Sequence, residues 1–291
     1  MKKNKNFISE GKMKIKIILF VTTFILLSTF SLAQSQVIQS DYNFYNSKTF
    51  SIYSTDVKDS FRISISVPDN YSDNLESYPV LYTLDGDISF EMVTSIARYL
   101  EVGDNIPEFI IVGIGYGTVE KNSGNNRQRD YSPTAVGIDN NTGGADNFLN
   151  FLKNELIPFV DSNYRTEKEN RTIYGYSLAG LFCFYNLFNL PDLFNNYIIG
   201  SAYLNWDNKV IFEIEKQSAI RTTDIAANVF ISVGNDEDDD RYFNPIDEMV
   251  TQLQNRNYKS LSIYTMVFND SDHLSSPPIT ITQGLLSIFQ K

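Results

Sequence analysis

Eight short runs rich in β-branched and aromatic residues recur along this chain, and helical patterns separate several of them. The runs are residues 49–55, 61–67, 79–84, 109–116, 172–176, 197–201, 229–233 and 261–268. The first two alternate apolar and polar side chains, as half-buried strands do, and Pro68-Asp69-Asn70 ends the second. Phe148, Phe151, Leu152, Leu156, Ile157 and Phe159 share one face of a helix that opens after Gly143-Gly144. Ile246, Met249, Val250 and Leu253 do the same, as do Leu285, Leu286 and Phe289 in the last helix. Strands alternating with helices fold into βαβ units around a largely parallel sheet. The first two strands have no helix between them, which predicts an antiparallel start. No repeat, linker or change of composition marks an internal boundary, so one α/β domain is expected.

The chain has 291 residues, and its beginning reads as an address. Lys2, Lys3, Lys5, Lys12, Lys14 and Lys16 precede an apolar run, 17–32, that ends Ser31-Leu32-Ala33. A basic region, a short apolar region and small residues before a cut make a secretory signal. We therefore expect a signal peptide over 1–33, with Met13 an alternative start, and a folded domain over 34–291. An uncleaved anchor is the alternative, although a run of about 16 residues is short for a spanning helix. Removing six Lys and Glu10 from 24 basic and 35 acidic residues leaves 18 and 34, a formal −16. Such a surface excludes nucleic acid as a partner, and after signal cleavage it disfavours stable membrane association. The expected location is the periplasm or the extracellular space.

A single cysteine, Cys183, excludes an intramolecular disulfide and any Cys-based metal cluster, and a single histidine excludes multi-His metal sites. Any histidine-dependent chemistry must use His273. Upstream of it, the strand ending in Tyr174 runs through Gly175-Tyr176-Ser177-Leu178-Ala179-Gly180 into a helical pattern. Strand, Gly-x-Ser-x-small turn and helix together form a nucleophile elbow, which lifts the serine hydroxyl clear of the sheet beside helix N–H donors. Position 179 is Ala where the strict pattern has Gly, and Gly180 follows. A serine needs an imidazole to take its proton and a carboxylate to orient that imidazole. Both lie downstream, in loops after strands: Gly234-Asn235-Asp236-Glu237-Asp238-Asp239-Asp240, then Asn269-Asp270-Ser271-Asp272-His273. Open α/β sheets place their sites in such loops. The residues themselves do not single out one carboxylate. A calcium loop built on Asp236, Asp238 and Asp240 is disfavoured by Arg241, where such a loop needs glycine.

Six segments in order resemble the putative-esterase family of α/β-hydrolases, which includes enterobactin-type siderophore esterases and esterase D-like enzymes, and especially its exported bacterial branch. They are Tyr78-Pro79-Val80-Leu81-Tyr82-Thr83-Leu84-Asp85-Gly86, Arg127-Gln128-Arg129-Asp130-Tyr131-Ser132-Pro133-Thr134, Gly143-Gly144-Ala145-Asp146, Tyr174 to Gly180, Trp206-Asp207-Asn208 and the His273 loop. The resemblance runs from about Tyr53 to the C-terminus. It implies an α/β-hydrolase fold with helices on both faces of the sheet, Ser177 as nucleophile and His273 as general base. It also implies an oxyanion hole from the backbone N–H groups of Leu178 and Asp87. For the acid it points to the carboxylates after Gly234, Glu237 first and Asp236 as the alternate, although some siderophore esterases manage with a Ser–His pair.

The function expected on this basis is hydrolysis of a small-molecule carboxylic ester through an acyl-enzyme, with no metal or organic cofactor. A siderophore trilactone, an acylated sugar or a small acyl ester would each suit the family. An acyltransferase of the same fold and a degenerate binding protein are the rivals. Arg127 and Arg129 could hold an anionic substrate group, or instead brace a loop with nearby carboxylates. Tyr176 and Trp206 could form an aromatic wall, or pack in the core.

Overall fold

The computed structural model describes residues 44–120, 124–137 and 141–290. The segment read as an export signal, and its boundary at Ala33, lie outside the described residues. The strands are β1 (Ser47–Ser54), β2 (Asp59–Ser66), β3 (Tyr78–Thr83), β4 (Ile110–Gly115), β5 (Thr166–Tyr176), β6 (Asn196–Gly200), β7 (Ala227–Gly234) and β8 (Leu261–Phe268). They form one sheet in the order β1-β2-β4-β3-β5-β6-β7-β8. β2 pairs antiparallel with β1 and with β4, and the remaining neighbours are parallel. This is the α/β-hydrolase fold, with the antiparallel start the sequence predicts. Among the described residues no helix is long and apolar enough to cross a membrane.

The helices are α1 (Gly86–Val102), α2 (Arg127–Tyr131), α3 (Ala145–Phe151), α4 (Ile157–Asn163), α5 (Leu178–Asn189), α6 (Trp206–Arg221), α7 (Asn244–Arg256) and α8 (Pro277–Phe289). The single helix expected after Gly143-Gly144 is α3 and α4 joined through a π-helical turn, Leu152–Leu156. Two long helices, α1 and α6, escaped the periodicity argument. In α1 half of the buried face is polar (Ser89, Thr94 and Arg98), and in α6 it is only Ile211, Phe212, Glu215 and Ser218. A stripe that narrow or that polar carries little hydrophobic signal.

Successive residues of the central strands point to opposite faces. Val80 and Tyr82 enter one core with Val112, Tyr197 and Ile231. Leu81 enters the other with Ile111, Ile198 and Phe230, beneath α1 and α8. β3, β4 and β6 are buried along their whole length, which is why they read as near-continuous apolar runs. α5 is buried at every position from Leu178 to Phe188, so it is apolar all round and runs through the larger core.

An aromatic cluster joins that core to the turn after β3. The Phe148 ring lies 5.0 Å from Phe182, 5.4 Å from Tyr131 and 5.5 Å from Phe61, centroid to centroid. Tyr131 in turn accepts a hydrogen bond from the Asp85 N–H at 3.1 Å. Phe148→Ala should lower the unfolding free energy by about 3–5 kcal/mol in urea titrations. Phe148→Leu, which keeps most of the volume, should cost less than half of that.

Candidate active site

β5 ends at Tyr176 and α5 begins at Leu178, so one residue, Ser177, makes the whole turn. It adopts φ 59°, ψ −118°, a conformation that costs a non-glycine residue about 1–3 kcal/mol. Neighbouring backbone holds it there. The Ser177 N–H donates to Gly200 O at 2.9 Å, and the Tyr203 N–H donates to Ser177 O at 3.0 Å. The turn also requires glycine two residues earlier, because a Cβ on Gly175 would stand 2.5 Å from the Ala179 carbonyl oxygen and 2.6 Å from Cys183 Sγ. Cys183 is buried against this turn.

Of the carboxylates after β7, Glu237 is buried, while Asp236, Asp238, Asp239 and Asp240 are exposed. The Glu237 side chain has no exposed surface, and its Oε2 lies 2.7 Å from His273 Nδ1. Its Oε1 accepts from the Gly234 N–H at 3.0 Å and from the Ser201 hydroxyl. Burial pushes the Glu237 carboxyl up, but the hydrogen bonds from His273, Ser201 and Gly234 outweigh it and hold the group below its ordinary value. Asp236 acts through its backbone, whose N–H donates to Ser271 O at 3.1 Å and ties the two loops together. The His273 loop is fixed by Asp272, whose Oδ1 accepts from the backbone N–H of Leu274 and Ser275 and from the Ser275 hydroxyl.

Two tyrosines flank the imidazole. The Tyr176 ring is 5.1 Å from it, with the hydroxyl 3.5 Å from Glu237 Oε1. The Tyr242 ring stacks on it at 4.4 Å and 25°. Tyr242 and Ser201 are absent from the sequence reading. Ser201 is one of many serines, and the direction of Tyr242 is set by a π-helical turn, Asp239–Phe243, that no local pattern announces.

The two arginines are tied to carboxylates. Arg127 forms a two-pronged pair with Asp85, both contacts at 2.8 Å. Arg129 grips Asp130 at 2.7 and 3.0 Å and reaches Asp59 at 3.0 Å. Trp206 is half-buried, with its indole N–H donating to Thr134 O at 3.2 Å.

Leu178 and Asp87 open α5 and α1, which leave the adjacent parallel strands β5 and β3. The first-turn N–H groups of a helix have no carbonyl within it to bind. Asp87 is fixed by its own carboxylate, which accepts from the backbone N–H of Tyr116 and Gly117 at the end of β4. Gly86 beside it must lack a side chain, since a Cβ there would lie 2.6 Å from Ile114 N. Ser177, Glu237, His273 and Asp87 therefore all follow the C-terminal ends of parallel strands.

A family model described as putative esterase matches residues 54–279, and the chain belongs to that family. It is an ester hydrolase of the serine-hydrolase class. The ferri-bacillibactin esterase BesA of Bacillus subtilis is 30% identical over 226 residues, covering 72% of this chain and 78% of that protein. Among solved structures, a BES protein from Bacillus cereus superposes with a TM-score of 0.78 at 27% identity, covering 89% of this chain and all of that one. An IroE-like serine hydrolase from Shewanella oneidensis gives 0.75 at 25% identity, covering 84% and 80%.

Glu237→Gln should lower kcat/KM on an aryl ester by about 10²- to 10⁴-fold, whereas Asp236→Asn stays within about twofold. The carboxyl is depressed in the folded state, so its stabilisation is complete above the ordinary value of 4.5 and fades as pH falls below it through the folded value. The stability advantage of the natural protein over Glu237→Gln, read by urea titration, should therefore hold from pH 7 to about 4.5 and shrink below that.

Proposed function

We propose that this chain is an exported serine esterase that cleaves siderophore-type carboxylic esters through an acyl-enzyme. The observation that carries the reading is the 2.7 Å pairing of buried Glu237 with His273 beside the strained Ser177 turn. In this reaction Ser177 Oγ attacks the ester carbonyl carbon and gives its proton to His273 Nε2, while Glu237 holds Nδ1 and stabilises the imidazolium. The N–H groups of Leu178 and Asp87 receive the tetrahedral oxyanion. The intermediate expels the alcohol, which takes the proton from His273. A water molecule, deprotonated by His273, then attacks the acyl carbon, the C–Oγ bond breaks and Oγ regains a proton. Activity on ferri-bacillibactin in a relative supports siderophore esters as the substrate class.

Ser177→Ala and His273→Ala should each reduce ester turnover by about 10³-fold or more while the protein stays folded. A fluorophosphonate should modify Ser177 stoichiometrically, and His273→Ala should lose that labelling. Turnover retained in either variant overturns the mechanism. The export reading is tested by sequencing the N-terminus of the protein recovered outside the cytoplasm, where Gln34 should come first.

A further inference from the structure

Ser201 holds a conformation that its residue type does not favour. It directly follows β6 with φ 40°, in the left-handed region that glycine enters freely and that strains any residue with a side chain. Backbone bonds pin it on both sides. Its N–H donates to Ser232 O at 2.8 Å, and the carbonyl of Gly200 before it accepts from the Ser177 N–H at 2.9 Å. The residue is 1% exposed, so bulk water does not reach its hydroxyl. That hydroxyl donates to Glu237 Oε1, which also accepts from the Gly234 N–H at 3.0 Å. The other oxygen, Oε2, meets His273 Nδ1 at 2.7 Å. The Tyr176 hydroxyl stands 3.5 Å from Oε1, too far to take over the Ser201 bond. Glycine would suit the backbone of residue 201 better, but it would leave a buried carboxylate oxygen short of a donor. The strain is accounted for by what the side chain does.

We infer that Ser201 is a positioning residue for ester cleavage: its hydroxyl fixes the Glu237 carboxylate, and through it the direction of the His273 ring. The inference rests on the roles of Ser177, Glu237 and His273 proposed above. A carboxylate held at one oxygen by a single N–H can turn about that bond and carry the imidazole with it. Two donors on Oε1, from the separate ends of β6 and β7, set the carboxylate plane and leave Oε2 one direction. Proton transfer between Oγ and Nε2 depends steeply on that direction, because a small misplacement of a catalytic group costs much of its effect. The bond has an electronic consequence too. Each donor on Oε1 takes up part of the negative charge, and the remainder on Oε2 sets how strongly the His273 Nδ1–H is bound. Loss of the Ser201 hydroxyl concentrates charge on Oε2 and strengthens that bond, which makes the change visible at the imidazole.

The test uses the protein's single histidine, since an imidazole N–H proton resonance can come only from His273. Ser201→Ala keeps the Cβ and the strained backbone and removes the hydroxyl alone. In protein carrying isotope-labelled histidine, its Nδ1–H resonance should move downfield of the natural position. Its kcat on an aryl ester should fall about tenfold with KM within about twofold, the size of one hydrogen bond to a charged group. In the Glu237→Gln background the same change should cost less than about twofold, because the hydroxyl acts through that carboxylate. Ser201→Gly relieves the strain, so it should unfold at a higher urea concentration than Ser201→Ala and yet lose kcat as Ser201→Ala does. A resonance that stays in place or moves upfield overturns the inference and leaves the serine mechanism standing. So does an undiminished loss in the Glu237→Gln background, or activity that follows stability across the two variants. Turnover retained in Ser177→Ala is the separate failure of the serine mechanism, and the inference falls with it.

Discussion

A carboxylate stripped of water is costly unless every oxygen is occupied, and Glu237 meets that condition with groups from three separate places. Ser201 stands at the end of β6, Gly234 closes β7, and His273 follows β8. One buried side chain thus fastens three consecutive loops at the C-terminal rim of the sheet. The imidazole is aimed because the carboxylate has no freedom left, and the carboxylate is ionised because its donors outweigh the burial. Removing any donor would leave part of that cost uncompensated.

The neighbouring turn stores strain instead of relieving it. Ser177 and Ser201 both adopt positive φ without being glycine, and both are held by backbone bonds to the strands beside them. Ser177 N–H reaches Gly200 O, and Ser201 N–H reaches Ser232 O at 2.8 Å. The two serines stand at the ends of adjacent parallel strands, one bearing the candidate nucleophile and the other a ligand of the acid. The rigid sheet and the apolar α5 below supply the packing that over-determines these conformations.

Charge is arranged around this centre with a division of labour. The acidic run after β7 contains one carboxylate that works inward and four that face water. Arg127 and Arg129, which in sequence look able to meet an anionic group, are spent on Asp85, Asp59 and Asp130. Arg127 braces the turn after β3, from which α1 and Asp87 set out, and Arg129 ties α2 to the start of β2. Arg241 is placed differently, over the rings of Tyr203 and Tyr242, the second of which stacks on the imidazole.

The sequence by itself determined the class of fold, all eight strands and the elbow around Ser177. Periodicity and steric demand are local, and they are written into neighbouring residues. It also determined that His273 must serve any histidine chemistry, simply because there is no other. Helices α1 and α6 stayed hidden because their buried faces are too polar or too narrow to leave a pattern. Tertiary structure decided what depends on approach between distant segments: that Glu237 alone of five successive acids turns inward, that Ser201 completes its shell, and that Tyr242 stacks on His273. Burial and hydrogen bonding select one carboxylate from a run of near-identical ones, and those quantities exist only after the loops of β6, β7 and β8 have met.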